Sequence, residues 1–371
     1  MAEASESPMA TVIKTFPPCA HDHRHTIEIR QTKDRGQSIY ASRDIPRGTI
    51  ILSEAPLLEA IEEPGSASVL ELYEALSPCK QQAYSQLHGN HDKSAKPELM
   101  TRDTVFSIYN TNKFKTTVLE IGSRFNHSCI PSAELIDEHH DHETRHRFVT
   151  LRHVGAGEEV TISYVAAYEF LKERKPALSK VYGFSCDCPA CGDGIQRHVL
   201  EAIAVANEKL NDKIRKMTFE NHNSVELHQR RLPDLDDLAS LLEFDGGLGR
   251  VAHDCYRQAT ISSAVLGKAD LALNWARKAS DISLHHVGPR HIQHKRDREI
   301  VEGLESIEMK RIISKAVAWQ DRDLHEFEDN YESKCDCDEI TWPGKNLMSW
   351  VAMLVRRGPV YWDDEWEVAQ R

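Results

Sequence analysis

The pattern of apolar and polar positions divides the chain into a strand-rich first half and a helical second half. Short runs at residues 27–30, 38–41 and 49–52 have the β-branched, apolar character of strands. The Pro and Gly within residues 44–48 predict a tight connection between two of them. From residue 195 to about residue 330 the apolar spacing is helical instead. We therefore predict an α+β fold followed by an all-α C-terminal domain.

The middle of the first half mixes helices with a predicted pair of strands. Apolar residues recur at helical spacing in residues 66–89 and 101–114. Residues 132–136 and 147–152 are predicted to pair as strands. The run between them, residues 137–146, contains four histidines among acidic residues. A metal site there is conceivable, but a solvated hairpin loop is the preferred interpretation, since loop tips accept such polar runs.

The C-terminal helical region has one clear packing face after a turn at Gly267. The spacing of its small residues is similar to that of a single tetratricopeptide-type unit. A solenoid needs about three such units to be stable. The helical region therefore either forms a peptide-binding groove or serves for structural packing, and packing is the favoured interpretation. Cys335 and Cys337 lack further ligands nearby, and the stretch at residues 347–355 is amphipathic. The predicted face consists of Ala272, Trp275, Ala276, Ala279 and Ile282.

Composition and charge narrow the class of protein. The 371 residues are 40% hydrophobic and 28% charged, which is ordinary for a globular protein. The formal net charge of −12 argues against a broad grip on a phosphate backbone. An acidic surface favours basic partners such as lysine-rich peptides.

Targeting signals and cysteine usage predict an intracellular protein, in the nucleus, the cytoplasm or both. No apolar run approaches the roughly 20 residues that span a bilayer, and the first ten residues lack the features of a signal peptide. Three of the nine cysteines lie within residues 186–191. Such a cluster in a chain without a secretion signal indicates metal binding or redox chemistry, not a disulfide framework.

Four motifs in a fixed order carry the strongest functional signal. They are D-R-G-Q-S-I-Y-A-S-R-D at residues 34–44, R-F-N-H-S-C-I-P-S at 124–132, G-E-E-V-T-I-S-Y at 157–164, and Y-G-F-S-C-D-C-P-A-C at 182–191. Together they resemble the SET-domain protein lysine methyltransferases with a cysteine-rich post-SET segment. The closest likeness is to fungal proteins related to the SET-and-MYND group. The zinc-binding MYND module is absent, because the interval where it would lie contains only Cys79.

The resemblance implies a specific domain order. A pseudoknotted SET (β-clip) domain would carry a helical insert that forms one wall of the substrate channel. A post-SET zinc loop and the helical domain would follow it. The expected boundaries are a leader at 1–26, the SET domain at 27–182 with its insert at about 64–114, the zinc loop at 183–194, the helical domain at 195–330 and an aromatic, charged tail at 331–371.

The resemblance also implies S-adenosylmethionine as the cofactor and assigns residues to it. Asn126 would bind the ammonium group of the cofactor, and His127 would contribute through its backbone beside the adenine. Tyr164 and Tyr182 would form the catalytic channel, although core filling alone also explains aromatic residues. The cofactor-binding set is Gly36, Ser38, Asn112, Asn126, His127, Tyr164 and Phe184.

The cysteine motif is predicted to hold structural zinc. Cys186, Cys188 and Cys191 supply three thiolates, and tetrahedral zinc takes four ligands. In the resembling family the fourth ligand corresponds to Cys129. By itself the C-x-C-x-x-C spacing also fits a redox pair or a group of buried thiols.

The expected function is methyl transfer from S-adenosylmethionine to lysine side chains of a histone or non-histone protein. The main alternative is a non-catalytic interaction protein that keeps the SET scaffold, because Gln37, Ser38 and Ser132 depart from the family pattern near the cofactor. A zinc-dependent nucleic-acid module is disfavoured by the acidic charge. The expected partner is a lysine-containing protein or peptide, with no direct nucleic-acid or membrane partner and an oligomeric state left open with a monomer as default.

Overall fold

The structure is a computed structural model whose described residues divide into two compact units, one up to Glu201 and one from Ala202 onward. The predicted leader up to residue 23, Cys335, Cys337 and the C-terminal tail lie outside the described residues. Within the described residues, no helix combines the length and the apolar character that crossing a membrane requires. The described residues are 24–33, 35–61, 64–89, 100–140, 143–165, 169–215, 225–244, 249–289, 291–307, 310 and 313.

The first unit opens with a hairpin formed by the first two predicted strands. Strand β1 (Ile27–Thr32) pairs antiparallel with β2 (Gly36–Ala41), and Thr32 lies opposite Gly36. Gly36 has a φ of 67°, a left-handed backbone conformation that residues with a Cβ atom rarely adopt. Glycine therefore closes the turn and starts the strand that borders the candidate site.

A three-stranded antiparallel sheet forms the next layer. Its central strand is β9 (Glu143–Thr150), which lies between β3 (Ile50–Glu54) and β8 (Ala133–His140). The pairing of Ile136 with Arg147 confirms the strand pair predicted from the sequence.

The solvated loop predicted for residues 137–146 is wrong for most of that run. Both strands continue through it, and His140 pairs with Glu143. His146 is buried, and its Nε2 lies 3.2 Å from Oγ1 of Thr117. Residues 137–140 of β8 pair with residues 143–146 of β9, so the backbone stays extended even where the sequence is polar.

Three helices lie between β4 (Leu58–Glu59) and β5 (Lys113–Phe114), which both pair with β6 (Thr117–Val118). The helices predicted at 66–89 and 101–114 are observed, but the first is two helices. A Pro at the first position of the second helix separates them, since proline fits a helix start and not its interior. The three are α1 (Ser66–Glu74), α2 (Pro78–Ser85) and α3 (Arg102–Asn112).

Two apolar cores support the first unit. One lies among the helices, where the hydroxyl of the buried Tyr84 donates a hydrogen bond to the carbonyl of Val105 at 2.9 Å. The other lies between the sheets, where the rings of Phe125 and Phe148 stack with centroids 4.5 Å apart. Phe125 directly precedes Asn126, so this second core anchors the candidate site.

The second unit is helical in its described part, and helix α5 (Ile195–Arg215) runs from the first unit into it. Gly267, with a φ of 73°, lies in the turn between helix α7 (Gly249–Val265) and helix α8 (Ala269–His286), as predicted. The predicted face of α8 is buried, which confirms the helical pattern, while the tetratricopeptide-like repeat stays a prediction. The helices after α5 are α6 (Val225–Phe244), α7 (Gly249–Val265), α8 (Ala269–His286) and α9 (Ile292–Glu305).

Candidate active site and metal centre

The candidate site forms where two distant parts of the chain pair as parallel strands. Strand β7 (Asn126–His127) pairs with β10 (Thr161–Ile162), with Asn126 opposite Thr161. Strand β10 covers two residues, and residue 159 makes an isolated bridge to Tyr40. The pairing of β7 with β10 brings Asn126 and His127 beside the segment that carries Tyr164. The threading of this segment through a loop stays a prediction.

A buried carboxylate fixes the turn that leads into β7. Glu54 accepts hydrogen bonds from the backbone N–H groups of residues 120, 121 and 122 at 2.8, 2.9 and 2.9 Å. Burial raises the pKa of Glu54, although these three donors oppose the shift. A Cβ atom at Gly122 would lie 2.7 Å from the ring of Phe148, so only glycine fits this turn. No motif in the sequence indicated this role of Glu54.

Asn126 uses both of its amide protons within the protein. Its Nδ2 donates to Oγ of Ser38 at 2.6 Å and to Oε1 of Glu159 at 2.8 Å. Ser38 is completely buried on β2. Two residues of the predicted cofactor-binding set are therefore in direct contact.

Tyr164 is held by both its backbone and its hydroxyl. The hydroxyl donates to the carbonyl oxygen of Phe125 at 2.6 Å. The backbone N–H donates to Nδ1 of His127 at 3.0 Å. Burial, with Tyr182 and Glu159 nearby, raises the pKa of Tyr164 above its usual value. The residue is consequently a neutral phenol with a fixed orientation.

The imidazole of His127 connects Tyr164 to the cysteines, a role beyond the backbone contribution expected from the sequence. Since Nδ1 accepts a hydrogen bond, Nε2 carries the proton of the neutral ring and lies 3.2 Å from Sγ of Cys129. Burial lowers the pKa of His127 to about 4, opposed by Cys188, while Arg174 and Arg35 contribute in the same direction as burial. The ring is thus uncharged at neutral pH.

Four aromatic rings lie close together beside β7. They belong to His127, Tyr164, Tyr182 and Phe184, and we call them the aromatic cluster. Tyr164 lies 4.7 Å from Tyr182 and 6.4 Å from Phe184 between ring centroids. His127 lies 5.4 Å from Tyr164 and 6.0 Å from Phe184. Tyr182 ends α4 (Leu171–Tyr182), which stops at Gly183 in a left-handed conformation. That helix end places Tyr182 and Phe184 together at the site.

The four cysteines predicted to bind zinc form one buried group, which we call the cysteine cluster. The Sγ atoms of Cys129, Cys186, Cys188 and Cys191 all lie within 4.8 Å of one another. Four sulfurs at about 2.3 Å from a central zinc ion are about 3.8 Å apart, so this arrangement fits tetrahedral zinc. Hydrogen bonds from the Cys129 and Cys186 thiols lower the pKa of Cys188, which favours a thiolate there.

Arg174 anchors the loop that carries three of these cysteines. Its side chain is 1% exposed, and Nη2 donates to the carbonyl of Ala190 at 3.2 Å. Nη1 lies 3.4 Å from Oε1 of Glu201 and also donates to the carbonyl of Glu169. A buried cation beside this loop suits the net negative charge of a zinc ion bound by four thiolates. No motif in the sequence pointed to Arg174.

Two other predicted cofactor-binding residues have different surroundings. A Cβ atom at Gly36 would have no heavy atom within 4 Å, so the space beside this backbone is open. Nδ2 of Asn112 donates to the carbonyls of His88 at 2.6 Å and Ile108 at 2.7 Å. The structure therefore engages the Asn112 amide with neighbouring backbone and not with the aromatic cluster.

Part of the chain matches a known family. Residues 36–165 match the SET domain family, and this span contains β7, β10 and Tyr164. The resemblance predicted from the four motifs is confirmed for this span.

Similar proteins match the chain over part of its length. A SET domain-containing protein of Acanthamoeba polyphaga mimivirus is 27% identical over 194 residues, which cover 43% of this chain and 74% of the relative. The histone-lysine N-methyltransferase set5 of Schizosaccharomyces pombe is 29% identical over 164 residues, or 43% of this chain and 48% of the relative. The chain therefore matches only about half of the yeast enzyme.

One solved structure, the SET domain of LSMT bound to lysine and AdoHcy, aligns with 80% of this chain and 86% of its own. The identity is 15% and the TM-score is 0.29. At that TM-score the superposition supports no conclusion about individual residues.

Proposed function

We propose that this protein is an S-adenosylmethionine-dependent protein lysine N-methyltransferase. The observation that carries the proposal is the meeting of Asn126 and Tyr164 at the β7–β10 pair. It places a polar cofactor anchor and an oriented phenol side by side, next to aromatic walls. The SET domain match and the relatives named histone-lysine N-methyltransferase support the same reaction class.

The residues around Asn126 fit the proposed cofactor. Because both Nδ2 protons are engaged, Oδ1 of Asn126 is the atom that would accept a hydrogen bond from the ammonium group. The open space beside Gly36 would take the amino-acid end, next to the backbone of Ser38. The ring of Phe184 would pack against the adenine, beside the backbone of His127.

Tyr164 would orient the reaction. S-adenosylmethionine would supply a methyl group to a neutral lysine amine by in-line attack, in which the bond from sulfur to the methyl carbon breaks, S-adenosylhomocysteine leaves and the methylated amine releases a proton. Because the Tyr164 hydroxyl proton is committed to Phe125, the oxygen lone pairs can accept from the amine and contact the methyl group. The raised pKa of Tyr164 keeps it protonated, so its role is orientation and not proton removal.

The aromatic cluster would favour the reactive form of the substrate. A lysine side chain has a pKa near 10.4 in water, and only its neutral form is a nucleophile. Apolar ring faces of Tyr164 and Tyr182 exclude water from the amine, which disfavours its charged form. The same faces fit the aliphatic part of the side chain.

The cysteine cluster would hold one structural zinc ion. All four ligand positions are protein thiols, so no coordination site remains for catalysis. The ion would join Cys129, close to β7, to the loop that follows Phe184. Zinc would thereby stabilise the wall of the cofactor site.

The proposed substrate is a lysine of an intracellular protein, histone or non-histone, encountered in the nucleus or cytoplasm. The net charge of −12 favours encounter with basic segments, in which lysines are frequent.

Transfer of a labelled methyl group from S-adenosylmethionine to proteins of a cell extract tests the proposal. The wild type should label protein lysines, and Tyr164→Phe should label them about 100-fold more slowly. The matched control is Tyr84→Phe, which also removes a hydroxyl bonded to a backbone carbonyl, but in the helical core. Equal rates for wild type and Tyr164→Phe would remove Tyr164 from this role.

A non-catalytic SET scaffold is the second candidate. The hydroxyl of Ser38 lies against the Asn126 amide at 2.6 Å, at a position where the resembling family has glycine. If that side chain narrows the pocket, the protein would keep the fold and the zinc loop without cofactor binding. Calorimetry with S-adenosylhomocysteine separates the candidates, because a scaffold without a pocket gives no binding heat.

A further inference from the structure

Glu159 lies on a segment whose backbone is fixed against the edge of β2. Gly157 N donates to the carbonyl of Ala41 at 2.8 Å, and Ala41 N donates to the carbonyl of Glu158 at 2.9 Å. Val160 N donates to the carbonyl of Ile39 at 2.8 Å. With hydrogen bonds on both sides of it, the Glu159 side chain starts from a well-defined position.

Both carboxylate oxygens of Glu159 have separate partners. Oε1 accepts from Nδ2 of Asn126 at 2.8 Å, and Oε2 accepts from Nη1 of Arg35 at 3.4 Å. Nη2 of the same arginine donates to Oδ1 of Asp187 at 2.7 Å. Asp187 lies in the sequence between Cys186 and Cys188 of the cysteine cluster. Arg35 therefore orients Oε1 toward Asn126. It also connects Glu159 to the loop that carries Cys186, Cys188 and Cys191, which we call the cysteine loop.

These contacts decide which way the Asn126 amide faces. An ionised carboxylate only accepts hydrogen bonds, so the amide must present its nitrogen to Glu159. Ser38 takes the second proton. In the part of the chain that the structure describes, Oδ1 has no hydrogen-bond partner, and it is left facing away from Glu159.

We infer that Glu159 is a positioning residue that presents Oδ1 of Asn126 to the ammonium group of the cofactor. This inference rests on the proposed methyltransferase function. An amide rotated by 180° would offer two N–H donors to a cation, which is repulsive. Glu159 prevents that rotation, and its negative charge near Asn126 adds attraction for the ammonium group.

Two ligands that differ in this ammonium group test the inference. S-adenosylhomocysteine carries the amino-acid end, while 5′-methylthioadenosine keeps the adenosine and the thioether without it. In calorimetric titrations, Glu159→Ala should weaken S-adenosylhomocysteine binding about tenfold. Binding of 5′-methylthioadenosine should change by less than about twofold, because that ligand makes no hydrogen bond to Asn126.

The neighbouring residue provides the matched control. Glu158→Ala removes the same charge one residue away, from a side chain that bonds Arg152 and the backbone of Gly155. It should leave the affinities for both ligands unchanged. Arg35→Ala, at a side chain that is 38% exposed, retains the Glu159 carboxylate but removes the contact that orients it, and should weaken only S-adenosylhomocysteine, by about threefold.

The outcomes are distinct. Equal weakening of both ligands by Glu159→Ala would indicate general damage to the pocket and overturn the positioning role. Unchanged binding of S-adenosylhomocysteine in Glu159→Ala would overturn it as well. Should Glu159→Ala not fold, the ligand selectivity of Arg35→Ala decides in the same way. If the wild type binds neither ligand, the proposed function itself fails.

Discussion

The buried guanidinium of Arg174 donates a hydrogen bond to the carbonyl oxygen of Ala190, inside the cysteine loop, at 3.2 Å. Through this bond helix α4 holds the loop beside the aromatic cluster. The helix end and the cysteine loop therefore act as one support for Tyr182 and Phe184. The effect of removing this support can be measured without knowing the substrate.

Replacement of Arg174 by methionine should weaken zinc binding by about 10- to 100-fold, since residues that support metal ligands contribute at this level. Methionine keeps much of the volume but removes the donors to Ala190 and Glu169 and the buried positive charge. Competition with a chromogenic chelator measures the affinity. Lys180→Met, on the exposed side of the same helix, is the control and should match the wild type. Equal zinc affinities for wild type and Arg174→Met would show that the cysteine loop keeps its conformation without Arg174.

Purified protein should contain one zinc ion per chain, as measured by elemental mass spectrometry. Cys129→Ser should lose the ion, because it removes one of four ligands and serine is a poor replacement. Cys79→Ser, at an exposed cysteine of α2, should retain it. Removal of zinc with a chelator should also lower the melting temperature, since binding contributes to folding. A zinc-free wild type that melts at the same temperature would contradict the structural role.

Stability of the helical unit should depend on pH through His253. Burial lowers the pKa of His253, but hydrogen bonds to Asp254 and Asp297 outweigh it and raise the pKa to about 8, from 6.5. The raised pKa means that the stabilisation is fully present below pH 6.5 and is lost as the pH rises through 8. A shift of this size corresponds to about 2 kcal/mol.

Urea unfolding at several pH values measures this effect. The free energy of unfolding of His253→Gln should fall below that of the wild type at pH 6, and the difference should shrink by pH 9. His285→Gln is the control, because its partner Asp281 is 61% exposed and solvent screens the pair. A difference between wild type and His253→Gln that is constant with pH would contradict the assignment.

Local patterns predicted much of the fold. Strands β1 and β2 follow from their β-branched, apolar runs, and the buried face of α8 follows from helical spacing. The histidine-rich run was misread because its polar composition is typical of loops, while its extended backbone comes from the pairing of β8 with β9. A polar run can therefore be assigned to a solvated loop or to a strand only when its pairing partners are known.

The candidate site was accessible to sequence reasoning where motifs mark it and not elsewhere. Asn126 and Tyr164 lie in recognisable motifs, so their meeting could be expected from the family resemblance. Glu54 and Arg174 are single polar residues on a strand and a helix, and their importance comes from backbone groups that only the folded chain brings near. Glu159 lies within a motif, but its contacts with Asn126 and Arg35 depend on the packing of three segments.

Calorimetric titration of the wild type and of Asn126→Ala with S-adenosylhomocysteine tests the central claim most directly. The account predicts saturable binding of one ligand per wild-type chain and an affinity at least about tenfold lower for Asn126→Ala, which loses a hydrogen bond to a charged group. Absence of binding heat for a folded, zinc-loaded wild type, or equal affinity of the two proteins, would contradict it.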